Sequence, residues 1–213
     1  EALKNTGGKI LQISTDFVFN GNQDFPYLPS QRRDPINMYG ISKAKGEESI
    51  ENILGETQQG LILRTSWVIS PYGRNFALTM LKLHKKLREI SVVSDQFGCP
   101  TSAQDLAQVC WKLIEGSDLI YKENESNCPI LHFSNSGLTS WYDLSVAVGE
   151  IGQELGKLDK CALVKPIMAK DYPTNALRPK YSLLDSSKTY NFLGKEAKHW
   201  KEALKNIIKS TNV

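Results

Sequence analysis

Two apolar patterns alternate along the chain. Short, mainly apolar runs occur at Lys9-Ile10-Leu11-Gln12-Ile13-Ser14, Gly60-Leu61-Ile62-Leu63-Arg64-Thr65 and Pro129-Ile130-Leu131-His132-Phe133-Ser134. They read as strands buried on both faces. Longer stretches with apolar residues at helical spacing lie between and after them. Asn37 caps a helix running to about residue 54, with Glu47, Glu48 and Glu51 on its wet side. Further helices are predicted over residues 76–87, from 103 (capped by Ser102) to about 114, from Ser140 to about 155, after Asp185, and from about 199 to 208. Short strands are predicted at 90–93 and 161–164, and polar, Pro-rich loops at about 20–35 and 172–179.

This βαβ spacing predicts an α/β fold with a largely parallel sheet. Ligands of such sheets bind outside the carboxyl ends of the strands, which places 14–19 and 66–69 at the expected site.

Composition narrows the class. Hydrophobic content of 40% and charged content of 23% over 213 residues suit a globular protein. The net charge of +3 is spread along the chain, so there is no basic stripe for nucleic acid. The densest basic stretch, Lys82 to Arg88, has helical apolar spacing and reads as one wet helix face. No apolar run is long enough for a membrane span and no signal peptide is seen. Cys99, Cys110, Cys128 and Cys161 form no CxxC pair, and reduced thiols in a cytoplasmic protein are expected. Asn124-Glu125-Ser126 fits a glycosylation sequon that has no secretory context. His84, His132 and His199 are far apart, and neither a catalytic nor a metal role is assigned to them.

Chemistry is suggested by Tyr39 and Lys43 at the start of a helix. Their i, i+4 spacing puts both on one face. An ammonium beside a phenol favours proton transfer, and a carbonyl reduced by hydride needs a proton donor for its developing alkoxide. A neighbouring hydroxyl would complete the oxyanion-binding pair. Alone this spacing is common, but here it follows a strand that ends in Ser14-Thr15-Asp16.

Ile13-Ser14-Thr15-Asp16-Phe17-Val18-Phe19-Asn20-Gly21 followed by Pro35-Ile36-Asn37-Met38-Tyr39-Gly40-Ile41-Ser42-Lys43-Ala44-Lys45-Gly46-Glu47 resembles the extended short-chain dehydrogenase/reductase superfamily. Within it, the chain is similar to the dTDP-4-dehydrorhamnose reductase family. Arg64-Thr65-Ser66-Trp67-Val68 with Gly73-Arg74-Asn75-Phe76 resembles that family's segment after the next strand. Asp95-Gln96-Phe97-Gly98-Cys99-Pro100-Thr101 resembles its DQxGxPT turn, and Ala176-Leu177-Arg178-Pro179 with Ser182-Leu183-Leu184-Asp185 its RPxxSxLD signature.

The resemblance implies that Tyr39 protonates the C4 oxygen, that Lys43 binds the nicotinamide ribose, and that Thr15 bonds the reacting carbonyl. Ser14 and Trp67 join Tyr39 and Lys43 around the cofactor, NADPH or NADH. Asp16, Phe17, Trp67, Asn75, Gln96, Thr101 and Arg178 border a dTDP-linked deoxy-keto sugar. Phe17 stands where the family usually has Tyr, which removes one hydroxyl contact. Magnesium has no support in the sequence, no metal ligands are assigned, and a homodimer is left open.

The resemblance also implies a doubly wound Rossmann-type sheet. Residues 1–70 and 102–136 would form the C-terminal half of the NAD(P)-binding domain, and 71–101 with 137–213 the smaller α/β substrate domain. No Gly-rich first βα turn occurs: Gly7-Gly8 precedes a strand, and Gly149 and Gly152 lie in a helical pattern. The expectation is therefore a C-terminal part whose cofactor-binding front half lies upstream of Glu1, inactive on its own and with an uncovered sheet edge. A nucleotide-sugar epimerase and a non-catalytic regulatory subunit of the same fold are the alternatives. A dehydratase would want an Asp-Glu pair after the Thr, and Asp16-Phe17 does not supply it.

Overall fold

A computed structural model describes residues 1–123, 128–172 and 174–212, so the sequon at 124–126 lies outside the described residues. Helix α1 (Ala2–Thr6) leads to β1 (Ile10–Thr15), a 3-10 turn (Asp16–Val18), α2 (Met38–Leu54), β2 (Gly60–Thr65), β3 (Val68–Ile69), α3 (Phe76–Lys86) and β4 (Glu89–Val93). There follow β5 (Phe97–Gly98), β6 (Thr101–Ser102), α4 (Ala103–Glu115), α5 (Ser117–Glu123), β7 (Ile130–His132), β8 (Thr139–Ser140), α6 (Trp141–Glu154), β9 (Leu163–Ile167), α7 (Ser187–Leu193) and α8 (Trp200–Ser210). The long helices begin where the sequence provides caps: the side chains of Asn37, Asn75, Ser102 and Ser140 each accept a first-turn amide.

Strands β1, β2 and β7 form a parallel sheet in that order. Side chains on a strand alternate between faces, and the register aligns Ser14 of β1, Arg64 of β2 and His132 of β7 in one row. Helix α2 covers this row, and its Glu47 is 0% exposed. That corrects the wet-side placement expected for Glu47. Arg64, 1% exposed, donates from Nη2 to Glu47 Oε2 at 2.6 Å and from Nε to Oε1 at 2.9 Å. Ser14 Oγ donates to the same carboxylate, and Arg33 adds a third partner at 3.0 Å while bonding Glu51 at 2.8 Å. A charge in a buried strand needs such a partner.

His132 is fully buried beside this pair. Its Nδ1 donates to Tyr27 O at 3.1 Å and its Nε2 accepts from Arg64 Nη1 at 3.4 Å, an arrangement only the neutral ring satisfies. Burial first, and the Arg64 charge second, push its pKa down to about 3.

The opposite sheet face packs Leu61, Leu63, Leu131 and Phe133 against Leu106, Val109 and Leu113 of α4. Helix α7, which the sequence assigned to the smaller domain, joins this cluster through Tyr190, Phe192 and Leu193. A second core gathers α3, α6 and α8 over the parallel pair β4 and β9. Strand β9 starts at Leu163 instead of Cys161, because Leu163 aligns with Glu89 at the start of β4. Its exposed Lys165 and Pro166 hide the strand from an apolar-run reading. Short strands β3, β5, β6 and β8 and helix α5 were not anticipated; elements of two residues carry no periodicity.

Removing one partner of a buried ion pair leaves the other charge stranded, so Arg64→Leu should cost on the order of 3–5 kcal/mol in urea unfolding. The His132 shift has its own sign. The unfolded chain binds a proton at His132 as pH falls through its ordinary value of 6.5, whereas the folded chain does so only near 3. Stability is therefore complete above pH 6.5 and declines below it, by about 1.4 kcal/mol per pH unit. His132→Asn should remove that slope when unfolding free energy is followed from pH 7.5 to pH 4.5.

Candidate active site

Thr15 closes β1 and caps the 3-10 turn, its Oγ1 accepting from Phe17 N at 3.2 Å. Asn37 caps α2 through Gly40 N at 2.8 Å and donates from Nδ2 to Leu177 O at 2.8 Å, tying the helix start to the 174–179 loop. Gly40 follows Tyr39 for a steric reason. A Cβ there would lie 2.1 Å from Phe17 O and 2.9 Å from Pro35 Cβ, so only glycine lets α2 meet the turn after β1. That approach sets the Tyr39 ring edge-on to Phe17 at 5.9 Å, with Tyr39 55% exposed. One turn along, Lys43 Nζ donates to Ile13 O at 2.5 Å. Tyr39, Lys43, Thr15, Asp16 and Phe17 thus converge on the carboxyl end of β1.

Ser14 does not face this site: its hydroxyl is engaged by Glu47 on the buried row. Thr15 Oγ1 donates to Asp16 Oδ1 at 2.8 Å, so its hydrogen is held by the neighbouring carboxyl. Asp16 is buried, and its Oδ2 has no hydrogen-bond partner among the described residues. Burial pushes the Asp16 pKa up to about 6, against the smaller opposing effects of the Ser182 and Thr15 hydroxyls. Ser182 Oγ itself bonds Phe97 O at 3.5 Å, so it eases the Asp16 charge without satisfying Oδ2. Of the other buried hydroxyls without partners among the described residues, Thr65 Oγ1 lies at the end of β2 and Thr101 Oγ1 in β6, while Ser145 Oγ and Thr211 Oγ1 lie in the second core. Trp67, just past β2, has φ of 45°, a left-handed backbone that costs a bulky residue energy.

Beyond Trp67 lies a cavity of about 290 Å³ lined by Phe76, Met80, Gln96, Trp141, Tyr172 and Arg178 among others. It is at the small end of ligand clefts, about 300–1,000 Å³. Gln96 and Arg178 are thereby brought together. Asn75 is committed elsewhere, capping α3 at Leu78 N and bonding Ser70 O and Tyr72 O. Trp67 stacks on Trp141 with ring centroids 3.5 Å apart and planes at 7°.

Asn37 was expected as a cap but not for its bond to Leu177 O, and the sequence missed Trp141, Gly40 and the Glu47–Arg64 pair. The last had a visible signal: an Arg inside a buried strand demands a carboxylate. Trp141 had none, since an aromatic at the start of an amphipathic helix reads as core. Among the described residues no three His, Cys, Asp or Glu gather to hold a metal ion, and no helix is long and apolar enough to cross a membrane.

A threonine ends a parallel strand, tyrosine and lysine sit one turn apart on the helix packed against it, and the sheet belongs to an α/β, Rossmann-like fold. More narrowly, the chain belongs to the RmlD substrate binding domain family, whose model matches residues 1–213. It is 37% identical over 211 residues to a dTDP-4-dehydrorhamnose reductase of Aggregatibacter actinomycetemcomitans, covering 97% of this chain and 68% of that protein. It is 39% identical over 210 residues to the spore coat polysaccharide biosynthesis protein SpsK of Bacillus subtilis (strain 168), covering 97% and 67%. The crystal structure of dTDP-4-dehydrorhamnose reductase from Bacillus anthracis in complex with NADP matches with a TM-score of 0.85 at 32% identity, covering 99% of this chain and 68% of that one.

Asp16 gives a signed prediction. Its folded pKa, about 6, lies above its ordinary 3.8, so the folded state holds the proton more tightly. Ionised Asp16 costs stability above pH 6, and the cost vanishes as pH falls below about 4. Asp16→Asn should raise the unfolding free energy at pH 7.5 by on the order of 3 kcal/mol and leave it nearly unchanged at pH 4.

Proposed function

We propose that this protein catalyses reduction of the 4-keto group of dTDP-4-dehydro-L-rhamnose to dTDP-L-rhamnose, with NADPH or NADH as reductant, in nucleotide-sugar synthesis for cell-surface polysaccharide. The observation that carries the reading is the convergence of Thr15, Tyr39 and Lys43 on the carboxyl end of β1. The names of the relatives and the NADP bound by the Bacillus anthracis protein support it.

Lys43 suits a cofactor ribose. It is half-buried, spends one hydrogen bond on Ile13 O, and has no carboxylate partner among the described residues, which leaves N–H donors for ribose hydroxyls. Reduced nicotinamide, when bound, supplies the hydride for C4. Tyr39 carries the proton for the C4 oxygen: as the C=O π bond becomes a C–O single bond, the phenol O–H breaks and a carbinol O–H forms. The Lys43 ammonium on the same helix face stabilises the resulting phenolate.

Thr15 is the natural donor to that oxygen, but its hydrogen is turned to Asp16 in the resting arrangement. Substrate binding must exchange that bond for one to the carbonyl. Asp16 and Phe17 border the sugar, with Trp67 beside them, and Arg178 offers its donor fork to the diphosphate at the mouth of the cavity. The four free cysteines fit a cytoplasmic setting, where reduced nicotinamide is supplied.

The test uses protein expressed from its complete reading frame, with dTDP-4-dehydrorhamnose and NADPH oxidation followed at 340 nm. Tyr39→Phe should lower kcat by roughly 100- to 10,000-fold with a small change in KM, as expected for loss of a proton donor. A folded, cofactor-binding wild type that consumes no NADPH would overturn the reductase reading.

A further inference from the structure

The Trp67–Trp141 pair is unusual in its geometry. Aromatic pairs favour offset or edge-on arrangements with centroids about 4.5–7 Å apart. Here the centroids are 3.5 Å apart at 7°, nearly a sandwich. Three features hold it. Trp67 sits on a left-handed backbone, φ 45°, just past the end of β2. Strand β5 pairs antiparallel with β8, aligning Gly98 with Thr139 and Phe97 with Ser140, so that Trp141 begins α6 directly beyond the paired segment. Gly98 makes room for the ring: a Cβ there would lie 2.8 Å from Trp67 Cε2 and 2.9 Å from its Cζ2. The Trp67 indole is thus confined between Gly98 and Trp141.

Trp141 has a second role. With Phe76, whose ring centroid is 4.6 Å away and tilted by 53°, it forms the aromatic wall of the 290 Å³ cavity that also holds Gln96 and Arg178. One indole therefore touches both the cavity and the residue beside the reacting sugar. Packed side chains in a close-packed interior transmit displacement because they have no slack.

We propose that Trp141 is a positioning residue that couples the two ends of the substrate site: filling the cavity with the nucleoside fixes Trp141, and through the stack fixes Trp67 against the sugar. The inference rests on the reading that the cavity takes the nucleotide. A substrate lacking its nucleotide would then lose turnover as well as affinity, since remote contacts would be needed to order the reacting end.

Two indoles stacked this closely give an exciton couplet in the far-ultraviolet circular dichroism, which reports the pair directly. Titration with dTDP, followed in parallel by calorimetry, should change the couplet amplitude in the wild type. Trp141→Phe should lose the couplet and lower kcat roughly three- to tenfold, while thermal unfolding shows the protein still folded. Gly98→Ala, which pushes on Trp67 from the other side and does not line the cavity, should lower kcat similarly and weaken dTDP binding, because the coupling acts in both directions. If Trp141→Phe does not fold, the wild-type couplet response and Gly98→Ala decide. Calorimetric binding of dTDP with an unmoved couplet, or undiminished kcat in Gly98→Ala, would overturn the inference and leave the proposed function standing. Absence of dTDP binding by the wild type would overturn the nucleotide reading of the cavity, and this inference with it.

Discussion

Arg64 and Glu47 lie at 2.6 Å with both side chains withdrawn from water. Desolvating two charges costs several kcal/mol each, and the cost is recovered only where geometry is good and the remaining donors and lone pairs are used. Here they are used. Glu47 accepts from Arg64, Ser14 and Arg33; Arg64 also reaches Pro29 O at 3.2 Å and His132, with its guanidinium 5.0 Å over the Phe19 ring. The pair joins all three strands of the sheet, α2 and the loop before it. Helix α2 has few apolar residues to press against the sheet, so this polar clamp does what a hydrophobic stripe does elsewhere. Tyr39 and Lys43 sit two turns and one turn from Glu47 on the same helix, so the clamp that docks α2 also sets the height of the reactive pair above β1.

The loop at 20–35 has few apolar anchors, yet it is held from both sides. Arg33 bonds Glu47 and Glu51, and Tyr27 exchanges backbone bonds with Leu183 and Asp185. Tyr27 also stacks on Phe19 at 4.2 Å. The carboxyl end of the sheet has the opposite character. Asp16 Oδ2, Thr65 Oγ1 and Thr101 Oγ1 are buried without partners among the described residues, and Trp67 holds a strained backbone. Each such group costs on the order of 1–3 kcal/mol. Among the described residues His84 Nδ1, Ser145 Oγ and Thr211 Oγ1, on or beside α3, α6 and α8, lack partners too, so such groups occur in both cores, whereas the Arg64 row is fully satisfied.

Much of this was legible in the chain. The three buried strands, the capped helices and the Tyr39–Lys43 pair follow from apolar spacing, from Asn and Ser caps, and from i, i+4 geometry. Glu47 was misplaced although its position was deducible. It is four residues past Lys43, so a helix that turns Lys43 toward the strands must turn Glu47 inward too, and Arg64 was waiting in a strand with no other carboxylate in view. Residues 161–167 were misread because Lys165 and Pro166 interrupt the apolar run, while pairing with β4 decides the register. Trp141 was beyond reach. Its contact with Trp67 depends on a two-residue pairing between β5 and β8, and nothing in local sequence announces a contact across 74 positions.

The pleat explains why stability and chemistry can sit one residue apart. Ser14 and Thr15 are neighbours with similar hydroxyls, yet alternation along β1 turns the first toward α2 and the Glu47 carboxylate and releases the second to the strand end. A slip of one residue between β1 and β2 would carry Thr15 into the ion-pair row and Ser14 out of it, breaking the clamp and emptying the site together. Because the Arg64–Glu47 pair tolerates no such slip, the register that secures the core is also the register that presents Thr15, and the sheet needs no separate device to aim it.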